Sequence, residues 1–568
     1  MKTATAALRP PSQVMRLARM GSFHQTRLSF MRALLRSLKR ERWRFERLRW
    51  RVDARGTGLA LYCAHGPRHR YTLVCFAHDL PAGQRSDRVI AEAWDATFVL
   101  YDGIPDEREI ARLAHNVPKQ EAGSYRQSEV VLSRANRSVR VFSQLVRCLA
   151  GGVQPDLELI ERSGYLMRTT AVYGNGKFGL SDRERIAGRP EFGAPFRAEL
   201  LSVYLIRWFT VDLAEHLAHA ANPDRAVKLD RGLARRLGVG NATGLGMAPF
   251  LVLHPALIHR WIHARETALA RVRALTAARP AARVQFGQLL ERMRAGLAHW
   301  HTGDRRQQRR IETLKADLGK IAERIGNRNG RRALEQTAPW EQLITWSQRA
   351  LSMEGQELLV TLVLEPHGEL IDDLAEQMAI DESRHDGIHG DQTAAELIDA
   401  VETNYRWALS TDYADPAQCA RFWYVSEEKL EPRLGERFEE DGADLELPLS
   451  IGRDIAALHA DLGAADPAQP VAEFLLTHPQ HRHAVRRIQL TARFPYAEIR
   501  DNLISARLRP IDLLRCKLSF FGANQFDPKS DRWVRITMYQ HAPFPDELAG
   551  MDADDWVYPP PPLPKNAR

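Results

Sequence analysis

The sequence has few cysteines and no long apolar run, and these two absences exclude several classes of protein. An odd number of cysteines without a Cys-x-x-Cys pair argues against a disulfide framework. No apolar stretch reaches the ~18–20 residues needed to cross a bilayer, and the N-terminus lacks the apolar core of a secretory signal. We therefore predict a soluble, cytoplasmic protein. The five cysteines are Cys63, Cys75, Cys148, Cys419 and Cys516.

The familiar catalytic and nucleotide-binding motifs are also missing. There is no G-x-S-x-G nucleophile elbow, no H-E-x-x-H zinc motif, no P-loop and no dinucleotide fingerprint. We find no internal repeat either. No motif is specific enough to assign the chain to a family, so its chemistry has to be argued from looser patterns.

The composition is that of a folded protein with several domains. Of its residues, 44% are hydrophobic and 27% are charged, which are ordinary values for a globular protein. The length of 568 residues exceeds what one hydrophobic core usually serves. Helical and strand-like periodicities alternate along it, so we predict a mixed α+β, predominantly helical, multidomain fold with small strand-bearing units at both ends. The predicted units are a basic helical arm at 1–55, a small α+β domain at 56–152, a helical domain with Gly-rich loops at 153–280, long charged helices at 281–335, an acidic helical region at 336–470, a mixed C-terminal unit at 471–548 and a proline-rich tail at 549–568.

The net charge of +9 comes from the N-terminal arm. Residues 1–55 contain fifteen Lys and Arg against three Asp and Glu, whereas the rest of the chain holds 65 against 68. Strong helix formers without Gly or Pro predict one helix from about Gln25 to Asp53. It could grip nucleic acid or an anionic membrane, helped by Trp43 and Trp50. Alternatively, it lies against the body with its arginines paired to acidic side chains.

Short apolar runs between residues 57 and 102 predict buried strands, and the run from Phe196 to Ala220 predicts a buried helix. Apolar residues from Ile311 to Ile325 recur every three or four positions, which is typical of helix packing. That packing is either internal or a homodimer contact through residues 286–326. Near the C-terminus, LLRCKLSFFGA and RWVRITMYQ predict two strands joined by a loop at 524–531.

An acidic segment rich in histidine, residues 365–391, is the densest set of ionisable groups. Glu382 and His385 form an E-x-x-H pair, a spacing that lets a carboxylate and an imidazole on one helix face reach one metal ion. With Glu376 they are the predicted metal ligands, and Glu382 and His385 the predicted acid–base residues. A second E-x-x-H is missing, so a solvated acidic face is the alternative. The segment also contains Glu369, Asp372, Asp373, His367 and His389.

A second histidine pair, His259 and His263, is spaced four apart on a predicted helix, with Glu266 three residues further on. Such a pair can chelate a divalent metal. The glutamate that follows the first histidine of zinc peptidases is absent, so an incidental or structural pair is the favoured interpretation.

Two glycine-rich segments could form ligand loops, because glycine lets backbone N–H groups approach a ligand closely. In VYGNGKFG at 172–179, the donors Tyr173, Asn175 and Lys177, together with Arg168, could hold a carboxylate or phosphate. An exposed turn is the alternative. For GVGNATGLG at 238–246, we favour the C-terminal cap of a helix followed by a turn over a ligand loop.

These patterns favour a metabolic enzyme that acts on a small anionic metabolite, a carboxylate or a phosphate, in a cleft between packed units. The reaction class stays open, as does the cofactor, with a divalent metal as one option. The alternative is a binding or scaffold protein whose basic arm contacts nucleic acid or an anionic membrane.

Overall fold

The computed structural model contains both helices and strands in large number, which confirms the mixed α+β class. Within the residues it describes, no helix has both the length and the apolar composition that crossing a membrane requires. The described residues are 7–16, 19, 25–84, 93–119, 126–169, 189–241, 255–298, 300, 305–326, 333–378, 387–414, 423–426, 432–434, 446–449, 451–497, 520, 522, 525–526, 536–554 and 556.

The strands are numbered in chain order. They are β1 (Arg44–Val52), β2 (Gly58–His65), β3 (Arg70–Ala77), β4 (Ala96–Asp102), β5 (Glu129–Arg137), β6 (Tyr165–Thr169), β7 (Gly238–Asn241), β8 (Trp423–Ser426), β9 (Pro432–Leu434), β10 (Glu446–Leu449), β11 (Gln525–Phe526) and β12 (Ile536–Met538). Within the described ranges, nine strands form one sheet in the order β1-β2-β3-β4-β5-β6-β7-β12-β11. Neighbouring strands in this sheet are antiparallel, except that β6 and β7 run parallel. Strands β10, β8 and β9 form a second, antiparallel sheet.

The helices are numbered in the same way, and short 3₁₀ turns are left unnumbered. They are α1 (Pro11–Val14), α2 (Phe30–Arg40), α3 (Glu107–Asn116), α4 (Phe142–Ala150), α5 (Leu157–Glu161), α6 (Arg197–Ala221), α7 (Arg231–Arg235), α8 (Pro255–Arg273), α9 (Pro280–Ala298), α10 (Arg305–Gly326), α11 (Pro339–Ala350), α12 (Met353–Leu364), α13 (Gly368–Ile371), α14 (Leu374–Gln377), α15 (Ala394–Asn404), α16 (Arg406–Leu409), α17 (Ile451–Gly463), α18 (Val471–Thr477) and α19 (Arg482–Arg493).

The sheet is covered on both faces in its central part. Helix α6, the predicted buried helix, contacts strands β2 to β7 on one face. On the other face, α3 packs Ile110 and Leu113 over a smaller apolar cluster that includes Val74 and Phe76 of β3. Side chains alternate between the two faces of a strand, so a strand covered on both sides is apolar throughout. This explains the uninterrupted apolar runs that predicted β2, β3 and β4.

A strand, rather than the predicted continuous helix, occupies the second half of the basic arm. Helix α2 ends at Arg40, Arg42 has a left-handed φ of 57°, and β1 then pairs antiparallel with β2. Phe45, Trp50 and Val52 of β1 pack against the core, while Arg44 and Arg51 lie exposed. The prediction of one helix from 25 to 53 was wrong because pairing with β2 and burial of these alternate residues outweigh intrinsic helix propensity.

Helix α12 is the most deeply buried element of the helical half of the chain. Its residues from Gly355 to Leu364 are all buried, and α8, α9, α10 and α11 contact it. The predicted apolar stripe of α10 packs inside the same body, with Ile311, Leu318 and Ile321 fully or almost fully buried. The internal alternative for that stripe is therefore the one observed.

Arginines of the arm bind two carboxylates near α12. Glu357, in the first of two ion networks, accepts hydrogen bonds from Arg9 at 2.8 Å and Arg19 at 2.9 Å. Arg9 also binds Glu266 of α8 with two hydrogen bonds, at 2.7 and 2.8 Å. Arg265 lies 3.8 Å from Glu357. Arg9 and Arg19 thereby fasten the described residues near the N-terminus to α8 and α12 through charges that are removed from water.

The second network is centred on Glu365, directly after α12. The fully buried Arg32 of α2 binds both oxygens of Glu365, at 2.6 and 2.8 Å. Arg27 binds both oxygens of Asp372 at 2.7 Å, and Arg36 binds Asp554 at 2.9 Å. These pairs realise the second interpretation of the arm, in which its arginines bind acidic side chains of the body.

The C-terminal strands are part of the large sheet. Strand β12 pairs with β7, and β11 pairs with β12. Strand β11 lies at Gln525–Phe526, inside the predicted loop 524–531, so that loop was placed wrongly. Most of the predicted strand at 513–523 lies outside the described residues. Because strands from the N-terminal half and the C-terminal end share one sheet, separate strand-bearing units at the two ends are not confirmed.

We expect Glu357→Gln to reduce the free energy of unfolding by about 3–5 kcal/mol, because Glu266 alone would then face the buried charges of Arg9 and Arg265, and Arg19 would lose its described carboxylate. Urea unfolding followed by circular dichroism would measure the change. The matched control is Glu291→Gln, which removes an exposed pair with Arg294 at 2.8 Å and should cost less than about 1 kcal/mol. Equal effects of the two substitutions would contradict this account of the arm.

The same carboxylate predicts a loss of stability in acid. Burial by itself would raise the pKa of Glu357, but Arg9, Arg265 and Arg19 outweigh it and lower the pKa to about 2, from an ordinary value of 4.5. A depressed folded-state pKa contributes stability that is complete above about pH 4.5 and is lost as the pH falls toward 2. Thermal midpoints between pH 7 and pH 2.5 should therefore fall less steeply in the Glu357→Gln variant than in the wild type.

Candidate functional site

Of the predicted site residues, Arg168 and Glu376 are described. Arg168 lies in β6 opposite Asn136 of β5 and Gly240 of β7. Glu376 lies in α14, is 68% exposed, and has a carboxylate oxygen 3.4 Å from Nη2 of Arg40. The remaining predicted site residues lie outside the described residues. They are Tyr173, Asn175, Lys177, Glu382 and His385.

The sheet places the last residues of β6 and β7 side by side. Strands β6 and β7 are parallel, and Thr169 at the end of one pairs with Asn241 at the end of the other. The chain continues from these residues into 170–188 and 242–254, which lie outside the described residues. In α/β sheets, ligands commonly bind where adjacent parallel strands end. Two positions about 70 residues apart in sequence, Thr169 and Asn241, are thus neighbours in the sheet.

Close strand packing explains two of the glycines in GVGNATGLG. A Cβ atom on Gly238 would lie 2.2 Å from the carbonyl oxygen of Met538, and one on Gly240 would lie 2.8 Å from the ring of Tyr165. The preceding residues form a helix, α7, as predicted. Residues 238–241, however, form a central strand, so the favoured cap and turn was wrong there. The pairing of β7 with β6 and β12 could not be read from a four-residue segment.

Each carboxylate in the first part of the acidic segment is paired with an arginine. Glu369 binds Arg279, Asp372 binds Arg27, Asp373 binds Arg271, and Glu376 approaches Arg40. His367 is buried, and its Nδ1 donates to the carbonyl of Val363 at 2.9 Å. Among the residues that the structure describes, no three His, Cys, Asp or Glu side chains are arranged to hold a metal ion.

The second histidine pair has structural contacts. His259 and His263 lie on α8 with ring centres 5.6 Å apart, as the spacing predicted. Nδ1 of His259 accepts a hydrogen bond from the backbone N–H of Tyr496 at 3.1 Å. Burial, with the neighbouring His263 and Arg260, lowers the pKa of His259 to about 4. Since Glu266 is bound by Arg9, the favoured interpretation as a structural pair is supported.

A cleft of about 340 Å³ next to α2 is the strongest candidate site. We name it the arginine cleft. Helix α2 forms one wall, the start of α6 contributes Arg197, and α14 and the C-terminal residues 552–554 complete it. Its charged lining residues are Arg36, Lys39, Arg40, Arg197, Asp372, Glu376, Asp552 and Asp554.

Arg197 is the least compensated of the largely buried arginines in this cleft. Its side chain is 17% exposed, and Nη1 lies 4.0 Å from Glu41. Among the described residues, its one side-chain hydrogen bond goes to the carbonyl of Glu191 and is long, at 3.4 Å. Burial lowers the pKa of Arg197. Burial also lowers the pKa of Arg36 in the same cleft, but Nη1 of Arg36 lies 2.9 Å from Asp554, so the distance to a carboxylate is what distinguishes Arg197. Within the described residues, no carboxylate comes closer to the guanidinium of Arg197 than that of Glu41, at 4.0 Å.

The position of Arg197 adds to this imbalance. It is the first residue of a 25-residue helix, where the helix dipole is positive and acidic residues are favoured. Arg40, 58% exposed, lies across the cleft, and Lys39 donates to the carbonyl of Met551. Asp372 and Asp554 are shared with Arg27 and Arg32, which lie behind the cleft wall. The lining thus holds four cationic and four acidic side chains, and Arg197 is the largely buried cation among them whose nearest carboxylate in the described residues is as far as 4.0 Å.

Sequence analysis missed Arg197 because it stands in an apolar segment, FGAPFRAELL, with no motif around it. The available signal was weak. A basic residue at the first position of a long apolar helix opposes the helix dipole, and such a residue either binds an acidic partner or faces an anion.

Comparison with known proteins provides no assignment. The chain matches no family model, and no curated protein and no solved structure is significantly similar to it. The function therefore has to be argued from the geometry of the sites.

We expect Gly240→Ala to destabilise the protein, because the added methyl group would collide with the ring of Tyr165 in the middle of the sheet. Gly287→Ala is the matched control, since a Cβ there meets no atom within 4 Å on helix α9. It should stabilise the protein by about 0.5–1 kcal/mol through the higher helix propensity of alanine. Thermal midpoints that move in the same direction for both variants would contradict the packing role of Gly240.

Proposed function

We propose that this chain is an enzyme that acts on a small anionic metabolite, whose carboxylate or phosphate group it holds in the arginine cleft. The observation that carries the proposal is the largely buried guanidinium of Arg197, which lines the cleft and whose nearest carboxylate among the described residues, that of Glu41, lies 4.0 Å away. A bound anion would supply the missing negative charge. Arginine presents its N–H groups in a planar fork that matches the two oxygens of a carboxylate or phosphate.

The other residues of the cleft have supporting roles in this proposal. Arg40 and Lys39 would bind further oxygens of the anion from the C-terminal turn of α2. Glu376 lies in the wall of the cleft. Two residues later, at Met378, the described stretch 333–378 ends. The predicted acid–base pair, Glu382 and His385, follows closely in sequence. Their proximity to Glu376 in sequence is what supports a catalytic role beside this cleft.

Arg168, Tyr173, Asn175 and Lys177 remain the proposed substrate-binding residues of the sheet edge. Their support is the adjacency of the ends of β6 and β7, from which both glycine-rich segments continue. A divalent metal held by Glu376, Glu382 and His385 also remains a proposal. Elemental analysis of the purified protein tests it, because stoichiometric metal that is lost in His385→Ala would support those ligands and metal-free active protein would reject them.

The anion site is tested by thermal unfolding at constant ionic strength with inorganic phosphate or citrate as the added anion. A specific site raises the midpoint in a saturable way, and a ligand at 100 times its Kd adds about 2.7 kcal/mol. We expect Arg197→Ala to abolish this increase and Arg197→Lys to retain part of it. The control is Arg108→Ala, an exposed arginine on α3, which should respond like the wild type. An equal response of the Arg197→Ala variant would reject the site.

Catalysis is tested separately from binding. Wild-type protein and the Arg197→Ala variant are incubated with a mixture of phosphorylated and carboxylated metabolites, and the mixture is followed by mass spectrometry. Anionic compounds consumed by the wild type alone would support an enzyme and identify its substrate. Specific anion binding without any turnover would instead support a binding protein.

The alternative proposal, a scaffold that contacts nucleic acid or membrane through the arm, now concerns fewer residues. Arg9, Arg27, Arg32 and Arg36 are bound to carboxylates, so the exposed arginines of β1 would have to make such contacts. Replacing Arg44 and Arg51 by glutamate tests this, because loss of a salt-sensitive interaction would support the scaffold. Deleting residues 1–55 is unsuitable, since it would remove α2 and β1 from the core.

The finer organisation is also a proposal. We propose a multidomain chain with boundaries near residues 152, 280, 335 and 470, working in the cytoplasm, where thiols stay reduced. The cytoplasmic location is supported by the three described cysteines, which are free. They are Cys63, Cys75 and Cys148. Limited proteolysis tests the boundaries, because cuts should cluster at these positions. Analytical ultracentrifugation tests a homodimer, which would have to use exposed residues of 286–326.

A further inference from the structure

A second cleft, of about 620 Å³, lies along the later half of α6. We name it the tryptophan cleft. Arg47 and Trp50 of β1 form one side, and Ala226, Val227 and Lys228 form another. Helix α6 contributes the residues of one helical face, Trp208, Asp212, Glu215, His216 and His219. Asp212 and Arg197 are separated by fifteen residues of helix, or roughly 22 Å, so this cleft is distinct from the arginine cleft.

Asp212 is the most firmly positioned polar group of the tryptophan cleft. The hydroxyl of the buried Tyr62 donates to its Oδ2 at 2.6 Å, and Nη1 of Arg47 donates to the same oxygen at 2.9 Å. Within the described residues, no donor reaches Oδ1. Burial raises the pKa of Asp212, and Tyr62 and Arg47 moderate that rise. The second oxygen is thus a fixed acceptor on the cleft wall.

Glu215, one turn further along α6, is arranged in the same way. Its Oε1 accepts a hydrogen bond from the backbone N–H of Leu229 at 3.0 Å, and burial raises its pKa. No donor in the described part of the chain reaches Oε2. Lys228 is exposed and forms no ion pair with the described carboxylates, so it adds a donor beside these two acceptors.

The aromatic walls differ from one another. Trp50 is occupied, because the guanidinium of Arg47 lies 5.3 Å from its ring centre and its Nε1 donates to Nδ1 of His216 at 3.3 Å. His216 donates in turn from Nε2 to the carbonyl of Asp53 at 2.8 Å. Trp208 is half-buried and packs against Tyr62, with ring centres 5.1 Å apart. Trp208 is therefore the aromatic surface that a ligand in the cleft can meet.

The charges of the cleft decide what kind of ligand suits it. Two carboxylates, Asp212 and Glu215, are balanced by two cations, Arg47 and Lys228, so neither an anion nor a cation gains a net attraction. The described residues include no set of ligands suited to a metal ion. A neutral molecule that carries many hydroxyl groups can both accept from the cations and donate to the carboxylates. Its apolar C–H face can pack on an indole ring.

We infer that the tryptophan cleft binds a neutral, hydroxyl-rich ligand of the size of a mono- or disaccharide. The ligand packs on Trp208, and its hydroxyl groups donate to Oδ1 of Asp212 and to Glu215. The volume lies within the range of about 300–1,000 Å³ that is usual for small-molecule sites. The inference goes beyond the anion site, since it concerns a different cleft and an uncharged ligand.

The experiment is saturation-transfer NMR of the full chain with glucose, galactose, mannose, N-acetylglucosamine, maltose and cellobiose, followed by titration of any saccharide that responds. We expect a saturable signal from at least one of them. Asp212→Asn keeps the size of the side chain but weakens its accepting ability, and should raise the Kd about tenfold or more, as should Trp208→Phe. Circular dichroism and the thermal midpoint check that both variants fold.

Trp346→Phe is the matched control, because Trp346 is a half-buried tryptophan on α11 far from these residues in sequence. It should bind the saccharide with wild-type affinity. Absence of a saturable signal with all six saccharides would overturn the inference. So would unchanged affinity in both Asp212→Asn and Trp208→Phe, which would place the ligand elsewhere. If either variant fails to fold, a fluorescence titration of the wild type tests the location. A saccharide bound in this cleft must change the fluorescence of Trp208.

Discussion

The pairing of N-terminal arginines with the buried carboxylates Glu357 and Glu365 is the constraint on which much of the structure depends. Helix α12 is apolar on nearly every side, yet these two carboxylates lie at and just beyond it, eight residues apart. A buried charge without a partner is very costly, so each carboxylate requires a cation from elsewhere in the chain. Arg9 and Arg32 supply those cations from a distance of more than 300 residues.

This constraint connects the two halves of the molecule. Once Arg32 binds Glu365, α2 is held beside the segment that follows α12, and the strand that follows α2 enters the sheet as β1. The sheet in turn packs on α6. Helix α6 borders both clefts, and the arm takes part in each. The arginine cleft lies between α2 and Arg197 at the start of α6. The tryptophan cleft lies between β1 and the later half of α6, which contains Asp212. The basic arm is thus a structural component of both candidate sites.

Local patterns predicted the elements in which one physical effect dominates. The apolar runs of β2 to β4 and of α6 were recognisable because burial on the covered faces of the sheet requires apolar residues nearly throughout. The stripe of α10 was recognisable for the same reason at helical spacing. The second half of the arm was mistaken for helix because its residues favour a helix locally, whereas the available partner strand decides its conformation. The prediction for β7 failed for a similar reason, because glycine is uncommon in strands unless another group packs closely against it.

The sequence alone determined the mixed α+β class, the buried strands and helices, and the concentration of positive charge in the first 55 residues. These features could be predicted because composition and periodicity are local properties. The tertiary structure alone decided which charges pair. It turned the arginines of a basic arm into internal partners of Glu357, Glu365, Asp372 and Asp554. It also left Arg197 4.0 Å from its nearest described carboxylate and brought Arg47 to Asp212. Electrostatic pairing depends on distance and burial in space, and neither is encoded in the spacing of residues along the chain.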